Sequence, residues 1–175
     1  DLKPPPMNFR MSLLLLVAFL PFTPAWGAPQ RSLVNLSSLR QVGSTSVLSS
    51  FQIEGTTAKT VLIRAVGPSL GAFGISGALA DPAISIANGT GTVVAVNDNW
   101  GGSAAVKTTS ALVGAFALSG DGSRDAAIVM TLGAGVYSVQ LTGVGGSTGS
   151  ALLEGYDADP EPRLSYLALQ APAGT

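Results

Sequence analysis

Apolar residues along this chain come in short runs separated by glycine-bearing punctuation. The clearest run is VYSVQLT at 136–142, where Tyr137, Val139 and Leu141 alternate with Val136, Ser138, Gln140 and Thr142. A period of two puts these sets on opposite faces of an extended chain, so the segment is predicted as a strand with one buried face. Further runs predict strands over 33–36, 47–53, 60–66, 83–87, 93–96, 126–132 and 150–156. NGTGT at 88–92 sits between two runs, and its Asn88-Gly89 dipeptide predicts a hairpin with positive φ. LGAGV at 132–136 reads as a second hairpin connection, its glycines supplying the special backbone angles. Helix is scarce. The first part of 103–118 is predicted as one short helix after Gly101-Gly102, and its threonines and Gly114 argue against a long one. Many short strands with glycine turns point to an all-β sandwich or barrel.

The ends of the chain change the picture by placing it. Residues 1–6 precede Met7 and read as upstream translation or an artefact. From 7 to 27 the pattern is that of a signal peptide: Arg10 is basic, 12–20 is apolar, and Ala25 and Gly27 offer a small-residue cleavage site. The apolar segment falls short of the roughly 20 residues that span a bilayer, so no membrane span is expected after cleavage. The expected location is secreted or cell-surface. Residues 28–157 then form the sandwich domain, and 158–175 read as linker and repeat start, with DADPEPR at 157–163 as the linker. Residues 163–175 match 32–44 at Leu33/Leu164, Leu36/Leu167 and Gly43/Gly174. That correspondence makes the tail the expected start of a second repeat, with other domains of the same larger protein as partners.

Composition removes whole classes of chemistry. The chain has no histidine and no cysteine, which takes away the commonest general base, the usual zinc ligands and the middle member of a nucleophile triad. No catalytic constellation remains, and no enzyme is expected. Nine basic against ten acidic residues leave no positive field to attract nucleic acid. GVGGSTG at 143–149 follows a strand, but no helix of the right length succeeds it, so it reads as a turn rather than a dinucleotide loop.

Two candidates for binding remain. Arg64 stands in the middle of the apolar run TVLIRAV, and a buried guanidinium there needs a carboxylate or several carbonyls. It is either a clamp between a strand and a loop or a ligand-binding group, with Asp81 or Asp98 as the expected partner. The stretch VNDNWGG at 96–102 is the most polar in the middle of the chain. Asn97, Asp98 and Asn99 carry hard oxygen donors and, with Asp81, make a candidate Ca²⁺ set. The simpler reading is a corner whose Asn and Asp side chains bond their own backbone while Trp100 caps the edge of the core.

RAVGPSL, LADP, NDNWGG and GVGGSTG, in this order, resemble a repeat module of large exported bacterial proteins of Verrucomicrobia type. The second half, with its LGAGVYSVQLTG and Gly-Ser-Thr-Gly stretches, resembles bacterial pre-peptidase C-terminal domains. That resemblance implies a jelly-roll-like antiparallel β-sandwich appended to exported proteins, some relatives of which bind calcium or extracellular polymers. The expectation is therefore a non-catalytic accessory or structural module. Its rival is an adhesion module that binds extracellular polysaccharide or protein through Trp100, Arg64 and the loop from Asn97, calcium-stabilised or not.

Overall fold

A computed structural model describes residues 35–159 and 166–169. The expected signal peptide and the six residues before Met7 lie outside the described residues. The strands are β1 (Asn35–Val42), β2 (Val47–Ile53), β3 (Lys59–Val66), β4 (Pro82–Asn88) and β5 (Val93–Asn97). After helix α1 (Ala104–Leu112) come β6 (Ala126–Leu132), β7 (Gly135–Gly143), β8 (Gly149–Asp157) and β9 (Tyr166–Leu169). All pairings between these strands are antiparallel. One sheet runs β1-β8-β3-β6 and the other β5-β4-β7-β2-β9. The first eight strands pair as β1 with β8, β2 with β7, β3 with β6 and β4 with β5. A ribbon of such pairs, rolled so that successive pairs fall in opposite sheets, is a jelly roll. The all-β sandwich expected from the pattern is what forms.

The core lies between the sheets. Phe51, Ile53, Val61, Ile63, Ile86, Val139, Leu141 and Leu153 are buried there, each supplied by the inward face of its strand. Phe51 and Tyr137 sit opposite each other in register and stack with ring centroids 5.4 Å apart. In β7, Tyr137, Val139 and Leu141 are buried while Val136 and Gln140 are exposed, as their alternation requires.

The first sheet has a second layer. Leu62 and Tyr156, on its outer face, pack with Trp100, Val106 of α1 and Ala127, flanked by Val113, Ala115 and Leu118. Burial on both faces explains why β3 reads as a nearly unbroken apolar run rather than an alternating one. Helix α1 starts where Ser103 accepts a hydrogen bond from the Val106 N–H at 3.4 Å, an N-cap following the two glycines.

Four expectations are corrected. LGAGV is not a hairpin: β6 lies in one sheet and β7 in the other, so the connection crosses the sandwich. The glycines serve that crossing. In NGTGT the hairpin forms, but the positive φ falls on Gly91 at 83° and not on Asn88-Gly89. Asn88 instead holds the loop by accepting from the Thr90 N–H at 3.1 Å and the Thr92 N–H at 3.0 Å. The first strand covers Asn35–Val42, because an edge strand with a half-exposed face needs no apolar run to announce it. Finally, β9 falls in the stretch read as linker and repeat start, yet it pairs with β2 and widens the second sheet.

Candidate functional site

The polar stretch that ends β5 is a corner joining the two sheets. Asn97 accepts from the Ala127 N–H of β6 at 2.9 Å, and its amide donates to the Asn99 carbonyl at 2.9 Å. The Trp100 N–H donates to the Asp125 carbonyl at 2.9 Å, and the Trp100 carbonyl accepts from the Ser103 N–H at 3.1 Å. Asn97 therefore uses both ends of its side chain on protein partners. Trp100 is 6% exposed and packs into the outer layer of the first sheet. Asp98 and Asn99 are exposed on the loop. Asp81 is held elsewhere by Arg124, 2.9 Å away. Among the described residues, no three acidic side chains come together where they could hold a metal ion.

Arg64 lies on the outer face of β3 and is fully buried. Its partner is not Asp81 or Asp98 but Glu154, directly opposite it in register on β8. Nε and Nη2 both donate to Glu154 Oε2, at 2.8 and 2.5 Å, and Nη1 donates to the Phe116 carbonyl at 2.6 Å. The Phe116 ring covers the guanidinium at 4.6 Å and the Tyr156 ring stands 5.8 Å away. Glu154 Oε1 accepts from the Tyr156 hydroxyl at 2.8 Å and from Ser37 at 3.3 Å. Burial, and then the hydrogen bond to the Glu154 carboxylate, push the Tyr156 phenol up from 10.0 to about 12. The cluster is a clamp between two strands and the loop after α1.

Lys59, Asp157 and Asp125 are further buried charges that tie parts of the fold together. Lys59 of β3 pairs with Asp157 of β8 at 3.0 Å, both side chains 1% exposed. Asp125 is fully buried at the start of β6. Its carboxylate accepts from the Gly67 and Ser69 N–H groups at 2.8 and 3.2 Å and from the hydroxyls of Ser69 and Ser123. It thereby fastens the GPSL turn after β3 to the loop before β6.

Sequence reasoning singled out Arg64 but missed Glu154, Lys59 and Asp125 as members of the framework. The usable signal was symmetry. Arg64 and Glu154 are each a charge within an apolar strand, and a buried charge calls for its opposite on the neighbouring strand. Comparison with protein-family models, curated proteins and solved structures finds no match.

Proposed function

We propose that this chain is a non-catalytic accessory or structural module of a secreted or cell-surface bacterial protein, acting beside other domains of the same polypeptide. The observation that carries this reading is the employment of its buried charged residues. Arg64, Glu154, Lys59, Asp157 and Asp125 are all buried and all hold one part of the fold to another. Groups fixed in this way make a rigid unit and are closed to substrate. The signal-peptide pattern before Ala28 supports export. The resemblance of RAVGPSL and NDNWGG to exported repeat modules supports the same placement, as does the jelly-roll topology implied by the pre-peptidase C-terminal likeness. No helix among the described residues is long and apolar enough to cross a membrane.

The test is to express the whole chain in a bacterial host and sequence the N-terminus of the exported protein. The expected product begins at Ala28. Retention inside the cell with Met7 or Met11 at the N-terminus contradicts export, and turnover of peptide, ester or glycoside substrates by the purified product contradicts the non-catalytic reading.

A further inference from the structure

Lys59 and Asp157 meet inside the sandwich, on the opposite face of the first sheet from Arg64. Val61 and Ile63 turn into the core from β3, and Lys59 shares their face by the period of two. It stands opposite Leu132 of β6 in register, while Asp157 stands opposite Val61. Leu132 and Val61 both belong to the core, and each side chain of the pair is 1% exposed. There Nζ lies 3.0 Å from Asp157 Oδ2. An ammonium has three N–H donors, and Lys59 uses one of them among the described residues, whereas the buried Arg64 donates three hydrogen bonds. A cation answered by so few partners is a costly occupant of an interior.

The carboxyl is held at its other oxygen. The Asp159 N–H donates to Asp157 Oδ1 at 3.0 Å, and Asp159 is itself fixed by accepting from the Thr60 N–H at 2.5 Å. The Ala158 N–H donates to the Thr60 carbonyl at 2.9 Å, so backbone bonding between these segments continues past Asp157. Oδ2 thus faces the amine and Oδ1 faces a backbone donor, the places that a leaving oxygen and an oxyanion require. We propose that Lys59 and Asp157 condense to an isopeptide bond that joins β3 to β8. One proton passes from Nζ to Oδ2, giving amine and carboxylic acid, a step made cheaper where charges are poorly solvated. The amine lone pair attacks Cγ, and the carbonyl electron pair moves to Oδ1, where the Asp159 N–H meets the charge. A second proton passes from nitrogen to Oδ2, the Cγ–Oδ2 bond breaks, and one water leaves. Ammonium and carboxylate become amide and water, with no oxidant or other reactant. Holding the two groups in contact is equivalent to a concentration of roughly 10⁵–10⁸ M for well-oriented partners. The bond ties positions 98 apart in a chain without cysteine, supplying the kind of staple that a disulfide gives elsewhere. This goes beyond the structural role proposed above and does not depend on export.

The test is the intact mass of the purified whole chain after overnight incubation in its folded state, compared with the mass its measured N-terminus encodes. The expected protein is lighter by one water. After denaturation, trypsin should leave residues 41–64 joined to residues 125–163, because a modified Lys59 is no longer cut. Lys59→Arg keeps the cation, but its guanidinium stays charged and does not attack a carboxyl. That variant should show the full encoded mass and separate peptides, and so should Asp157→Ala. The full mass in the wild-type protein overturns the proposal, and this reading does not depend on how well either variant folds. A wild-type protein lighter by one water but without the joined peptides also overturns it, since an aspartate that closes on its own backbone loses water too. The same loss in Lys59→Arg has that meaning as well.

Discussion

At the scale of single residues, the outer layer of the first sheet is organised by a carboxylate that satisfies everything around it. Glu154 receives Arg64 on one oxygen and Tyr156 and Ser37 on the other, so a strand face that looks apolar in sequence holds an ion pair without leaving a charge unanswered. The consequence for pH follows from Tyr156. Its phenol loses its proton at about 12 in the fold and near 10.0 when exposed, so the fold favours the neutral form. This contribution to stability is complete below pH 10 and disappears as pH rises through 12. Denaturant stability should therefore fall more steeply across that window in the wild type than in Tyr156→Phe. Equal slopes in the two proteins would contradict the assignment. Trp100 teaches the complementary lesson: its place at a core edge was legible from the polar stretch before it. The contact of that stretch with Ala127, thirty positions on, was not.

At the scale of elements, the strands were the most legible part. The runs 47–53 and 126–132 are strands with those bounds, and 60–66, 83–87, 93–96 and 150–156 gain only a residue or two at their ends. Periodicity and glycine punctuation report local extension, and local extension is what a strand needs. The pairing of elements is set by distant residues, and so LGAGV read as a hairpin when it is a crossing. Likewise the first strand, at an edge and half polar, left too faint a pattern to locate. The glycine of RAVGPSL shows a local residue answering a distant demand. A Cβ on Gly67 would run into the Leu79 carbonyl, and the Gly67 N–H is fixed by Asp125. Gly67→Ala should accordingly cost roughly 1–3 kcal/mol, the range for forcing extra volume into a packed site. Thermal or urea unfolding measures it, and a variant as stable as the wild type would show that the approach is looser than described.

At the scale of the whole molecule, the two sheets are treated differently. The first is covered by the core within and, around Leu62, Ala127 and Tyr156, by α1 with its following loop without, while its edge strand β1 exposes Leu39. The second is covered within and exposes Leu48, Val94, Val96 and Val136 on its strands. The first sheet carries Arg64, Lys59, Glu154 and Asp157, so these buried charges belong to one half of the sandwich. The central claim is that these charges are internal struts. A double-mutant cycle on Arg64→Met and Glu154→Met, read by chemical denaturation, tests it most directly. Each single substitution should lose about 3–5 kcal/mol, because it strands the opposite charge in the interior, and the double should lose clearly less than the two losses combined. Single variants within about 0.5 kcal/mol of the wild type, with additive effects, would contradict it.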